Sequence, residues 1–221
     1  MSKSVKRPYE SRLRAEQALV TRRAIVDAAA RLFGAEGYVA VSVEAIAAAA
    51  GVSRATVFNA IGGKPDLLRA AFRGAFGAAA GAPDEELRLV DRPRSVAVRA
   101  SATAHEYLVG YASVCTAIHR HMALIYEAIR EAARADPEVA TLWSEVNAER
   151  HHGAHTIVAD VRKRTALRPG LSVVVATDIV WMLNDPVHFH MLVLGRGWPE
   201  ARFSTWLARA LETELVGEVR G

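Results

Sequence analysis

The chain reads as an all-helical protein, on three observations. Alanine dominates an apolar content of 51%, and alanine is the strongest helix former. Apolar residues recur at three- and four-residue spacing along most of the sequence. Runs of β-branched and aromatic residues are scarce, and Val173–Val175, the best strand candidate, has no evident partner strand.

The elements follow in order. Residues 1–20 are polar and basic and read as a flexible arm. Thr21 is a good N-cap, and Ile25, Ala28, Ala29, Leu32 and Phe33 form one face of a first helix, ended by Gly34 and Gly37. Ser42 caps a second helix with Glu44 in its first turn and Val43, Ile46, Ala47 and Ala50 facing inward. Gly51 supplies the turn, since glycine takes positive φ without steric cost. Ser53 caps a third helix anchored by Val57 and Ile61, and Gly62 and Gly63 stop it. Ala55, Thr56 and Asn59 lie across the helix from those anchors, and Arg54 stands near its start. That is a short rod carrying hydrogen-bonding side chains, of the size that enters a DNA major groove.

Pro65 opens a fourth helix that ends between Gly77 and Pro83, and Ala82–Pro93 reads as a linker with one helical turn. Helical texture resumes near Arg94 and runs to Arg134 with a break expected at Gly110–Ser113. Asp136-Pro137 starts a long helix to about Thr165, and Arg168-Pro169-Gly170 is a turn. Leu171–Leu194 reads as one apolar helix kinked at Pro186, and Pro199 opens a last amphipathic helix. The expected domains are an arm at 1–20, a helix-turn-helix domain at 21–64 and a larger helical domain at 65–221.

Charge separates the same parts. Residues 1–64 hold ten Lys/Arg against five Asp/Glu, and the remainder eighteen against nineteen. A basic first part on a near-neutral body points to a polyanionic partner; a merely solubilising surface is the alternative. One cysteine, Cys115, rules out an intrachain disulfide and suits a reducing cytoplasm. Leu171–Leu194 carries too many polar groups for a membrane span.

The run GVSRATVFNAIGGKPDLL, within residues 21–76, resembles the turn, recognition helix and fourth-helix start of the TetR family of bacterial transcriptional regulators. The resemblance implies a homodimer that binds operator DNA through its N-terminal domain. A larger C-terminal ligand-binding and dimerisation domain would release DNA when a small-molecule effector binds, so the protein would act as a repressor. It implies base contacts from Arg54, Thr56 and Asn59, and a thymine-methyl contact from Ala55. Ser42, Ser53, Arg22, Arg23 and Lys64 fall near helix starts, where phosphates are held. Three positions depart from the family pattern. Phe58, in the DNA-facing set, replaces a common Tyr, Ala60 a common polar residue, and Ile61 a frequent Phe. A helical ligand-binding protein with weakened DNA binding is therefore a second reading.

Tyr107, Tyr111, Tyr126, Trp143, Trp181 and Met182 are candidates to line an effector pocket or to be plain core, with His105, Asn147 and His151 as polar contributors. The last two helices, with Trp198, Phe203, Trp206 and Leu207, are the expected dimer face. Paired histidines such as His151 and His155 have helical ligand spacing and raise a metal-dependent enzyme as a third reading. No second Glu-x-x-His and no further chemical motif accompanies them, so no metal, cofactor or catalytic residue is expected.

Overall fold

A computed structural model describes residues 6–79 and 93–217, with side chains described for 13–76 and 96–217. Among these residues every regular element is helical. They are α1 (Lys6–Ala40), α2 (Val43–Ala50), α3 (Arg54–Ala60), α4 (Lys64–Ala79), α5 (Pro93–Arg99), α6 (Ala104–Ala132), α7 (Pro137–Arg162), α8 (Val173–Leu183), α9 (Pro186–Phe189) and α10 (Glu200–Leu215). A π-helical stretch, His190–Gly195, follows α9. The expected linker falls almost wholly on residues 80–92, outside the described residues.

Four expectations are corrected. The first helix begins at Lys6, not near Thr21, because residues 12–20 are strong helix formers with no breaker among them. Gly34 stays helical, and only Gly37, at φ 78°, breaks the helix. A Cβ at Gly34 would lie 3.3 Å from Leu124 Cβ, so Gly34 serves the close approach of α1 to α6. Helical structure resumes at Pro93 with α5, as expected, but the break falls at residues 100–103, and α6 then runs unbroken through Gly110 behind a Thr103–Glu106 capping box. A Cβ at Gly110 would come within 2.8 Å of Val98, so this glycine makes room for α5. Finally, Leu171–Leu194 is not one kinked helix. It stops at Asn184, and Pro186 is the first residue of a new helix capped by Asp185, where a missing N–H costs nothing.

Two apolar clusters hold the described residues together. One joins Ile25, Phe33, Ile46 and Val57 of α1–α3 to Leu67, Leu68 and Phe72 of α4, Ile125 and Ile129 of α6, and Val139 and Leu142 of α7. The boundary expected at residue 64 falls inside this cluster, so α4 ties the helix-turn-helix to the body through shared burial. The other cluster packs Tyr107, Leu108 and Cys115 of α6 with Val158 of α7, Val180 of α8, Phe189 of α9, and Phe203, Leu207 and Leu211 of α10. Phe203 and Leu207, expected at a dimer face, are fully buried within the chain. Trp198 and Trp206 are half-buried. Among the described residues no helix is long and apolar enough to cross a membrane.

Candidate nucleic-acid interface and ligand centre

The helix-turn-helix is built by local caps. Ser42 Oγ accepts the Ala45 N–H at 3.0 Å, and Ser53 Oγ accepts the Thr56 N–H at 3.1 Å. Gly51 closes α2 at φ 69° in the left-handed region. Buried Val57 anchors α3, and Arg54, Ala55, Phe58 and Asn59 stay exposed. Arg54 Nε lies 3.0 Å from Glu44 Oε1, and its guanidinium sits 5.2 Å from the centre of the Phe58 ring. An arginine on α3 is thereby held by α2 and by its own helix. To reach a base it must leave Glu44, an exposed and weak partner.

The other sequence-predicted residues separate into groups. Thr56 is half-buried, and its hydroxyl shares a 2.8 Å hydrogen bond with Ser53 Oγ, so it is tied into the cap rather than facing fully outward. Arg22 donates to the Ala60 carbonyl at 2.6 Å, bracing α3 against α1. Arg23 is exposed one position on. Lys64 Nζ donates to the Val39 carbonyl at 3.2 Å and lies 4.5 Å from the centre of the Tyr38 ring. Burial pulls the Lys64 ammonium below its usual range, against an opposing pull from Asp136.

In the body, Tyr126, Trp143, Asn147 and Trp181 come together around a residue the sequence reading missed, Arg150. Its side chain is 13% exposed and lies 3.0 Å from Asp185 Oδ2. Arg150 donates to Tyr126 Oη at 2.9 Å, Asn147 Oδ1 at 3.1 Å, the Trp181 carbonyl at 2.8 Å and the Asn184 carbonyl at 3.2 Å. Its guanidinium also lies near the Tyr126 and Trp181 rings, 5.4 and 5.3 Å from their centres. Tyr126 donates to Asp185 at 3.0 Å, and Trp143 packs 5.1 Å from the Tyr126 ring. Asn184 Nδ2 donates to Tyr111 Oη at 2.7 Å. Three buried atoms around this centre have no hydrogen-bond partner among the described residues: His119 Nδ1, Trp181 Nε1 and Asn184 Oδ1. Burial, then the nearby Arg150 charge, holds His119 down at about 3, so it is neutral at pH 7. Burial pushes the Cys115 thiol up to about 12, which makes it a poor nucleophile.

The remaining pocket candidates are not brought to this centre. His105 is exposed on the α6 start and pairs with Glu212 at 3.0 Å. His151 sits at the rim, exposed, 3.1 Å from Asp178 and edge-on to Trp181. Met182 is exposed and lines an open groove of about 500 Å³ between α8 and α10 with Ile179, Leu183, Trp206 and Ala210. Among the described residues no three His, Cys, Asp or Glu side chains gather as a metal site. One signal for Arg150 was present in the sequence: it shares a face of α7 with Trp143 and Asn147, seven and three residues earlier.

These features define a helix-turn-helix domain on an all-helical body with a polar centre. Residues 25–71 match the family described as bacterial regulatory proteins, tetR family, so the resemblance read from the sequence holds for these helices. Solved structures share the fold over most of the chain. FadR from Bacillus subtilis, a transcriptional regulator in complex with stearoyl-CoA, superposes at TM-score 0.67 and 19% identity, over 89% of this chain and 98% of that one. A protein from Saccharomonospora viridis described as a transcriptional regulator, in complex with choline, gives 0.66 and 19% over the same shares. A TetR transcriptional regulator from Chloroflexus aurantiacus gives 0.64 and 17%, over 90% and 98%. No curated protein matches the sequence.

Proposed function

We propose that this protein is a homodimeric, ligand-responsive transcriptional repressor acting in the cytoplasm. The observation that carries the reading is the exposed face of α3, with Arg54, Ala55 and Asn59, held on a capped helix-turn-helix whose sequence matches the TetR family. Arg54 would read guanine and Asn59 adenine through their bidentate hydrogen-bonding edges. Arg23, Lys64 and the helix starts at Ser42 and Ser53 would hold phosphates, with Arg22 and Thr56 bracing α3 rather than touching DNA.

Dimerisation is assigned to the apolar surface of α8 and α10. Val175 and Met182 are exposed on α8, and Met182 joins Trp206 and Ala210 in the groove. Two copies of this helix pair would close a four-helix bundle and set two α3 helices about 34–36 Å apart on a palindromic operator.

The Arg150 centre is proposed to sense the effector. Its His119, Trp181 and Asn184 atoms, unpartnered among the described residues, supply spare hydrogen-bonding capacity. Structural neighbours that hold choline or stearoyl-CoA support small-molecule control without naming the ligand. An effector would act by preferring the dimer spacing that fits the operator poorly.

Purified protein mixed with DNA flanking its own gene, across a salt series with excess competitor, tests the reading. A competitor-resistant footprint on an inverted repeat is expected. Weak binding of equal strength to every fragment, repeated after selection from random sequences, would refute it.

A further inference from the structure

The end of α1, the start of α4 and the corner between α6 and α7 meet beside the helix-turn-helix. Tyr38, at the end of α1, is buried and donates its hydroxyl to Asp136 Oδ2 at 2.8 Å, across 98 positions of sequence. The other Asp136 oxygen caps α7, accepting the Glu138 and Val139 N–H groups at 3.0 and 3.3 Å. One carboxylate therefore serves the body's own helix with one oxygen and reaches the head with the other. The Tyr38 bond holds that carboxyl below its usual range.

Lys64 completes the chain of contacts. Its ammonium rests over the Tyr38 ring and donates to the Val39 carbonyl. An ammonium has three N–H donors, so two remain for another acceptor. Lys64 is also the first residue of α4, where the helix dipole disfavours a cation. Helix stability therefore does not account for a lysine there; the nearby Asp136 carboxylate draws the ammonium towards the corner, and two of its N–H groups are left for a second anion.

We infer that Tyr38 and Asp136 are positioning residues for DNA binding, through which the α6–α7 corner of the body holds Lys64 where its free N–H groups meet a phosphate. This rests on the DNA-binding reading above and adds a route from body to DNA that bypasses α3. The physical reason is preorganisation. A free lysine side chain loses rotamer freedom when it docks, and the Tyr38 ring and Val39 carbonyl remove much of that cost in advance. A shift of the α6–α7 corner would loosen Tyr38 and, with it, one phosphate contact per subunit.

The test uses the full chain and a short labelled duplex of unrelated sequence, titrated from low salt upward. Tyr38→Phe removes one hydroxyl. Asp136→Ser keeps a helix cap but is too short to reach Tyr38. Each is expected to weaken binding about fivefold, the worth of one hydrogen bond. Each should also flatten the salt dependence towards that of Lys64→Ala. Adding Tyr38→Phe to Lys64→Ala should change nothing further, an outcome a purely structural role would not give. The inference is overturned if both single variants bind within about twofold of wild type, or if Tyr38→Phe costs as much without Lys64 as with it. Failure of wild type to bind any duplex at low salt would overturn the DNA-binding reading as well.

Discussion

The head and the body handle their polar residues in opposite ways. On α3 the candidate reading residues are exposed, and the ties on Arg54 are weak: an ion pair with Glu44 and the face of Phe58, both in solvent. In the body, the Arg150 side chain is mostly buried, and four hydrogen bonds, one carboxylate and two aromatic rings hold it in place. A surface that must exchange water for a partner keeps its groups loosely held. A charge in a core has to be fully satisfied or it unfolds its surroundings. The contrast teaches that the same residue type, arginine, is an exposed and loosely held side chain in one region and a structural keystone in the other.

The largest effect should come from the keystone. Arg150→Ala removes the only cation paired with Asp185 among the described residues, leaves that carboxylate the Tyr126 hydroxyl and the Val187 N–H alone, and empties the space between Tyr126 and Trp181. Chemical denaturation should show a loss of about 3 kcal/mol. If stability barely moved, the two regions would not differ as described.

The next effect depends on pH. His119 titrates near 3 in the folded protein and near 6.5 when unfolded. Unfolding therefore takes up a proton between those values, so stability is complete above pH 6.5 and falls as pH drops below it. The loss should reach about 2 kcal/mol by pH 5. His119→Leu should flatten the curve over that window, and an unchanged slope would show that His119 is not held neutral.

On the head, losses should appear in DNA binding and not in stability. Asn59→Ala and Arg54→Ala are each expected to cost about 1–2 kcal/mol of operator affinity and to relax base preference at one position, with melting temperatures unchanged. A footprint and affinity identical to wild type would remove these residues from the reading face. The smallest effect is at Glu44. Glu44→Gln frees Arg54 from an exposed pair and should tighten operator binding by less than about threefold. A fall in affinity would mean that Glu44 orients Arg54 rather than competing for it.

How much could be read in advance follows the same division. The helix-turn-helix was legible because its signals are local: Ser42, Gly51 and Ser53 each act on residues within a few positions. Four aromatic and polar residues of the body named from the sequence, Tyr126, Trp143, Asn147 and Trp181, stand together in the fold, but nothing in the sequence placed them beside one another. Arg150 was missed, because an arginine on a helix looks like a solvated one until its partners 24 to 34 residues away are known. Gly34 and Gly110 were misread as breaks, because only the neighbouring helix shows that each is a point of close approach.

The sequence by itself determined the all-helical class, the caps and turn of the helix-turn-helix and the outward face of α3, since each rests on periodicity or on contacts within one turn. The tertiary structure decided the roles of charged groups. It turned Arg22 into a brace and Arg150 into a keystone, and it joined Tyr38 to Asp136 across the chain. The reason is physical: a helix pattern fixes which way a side chain points, while the worth of a charge depends on burial and on partners that only folding brings within reach.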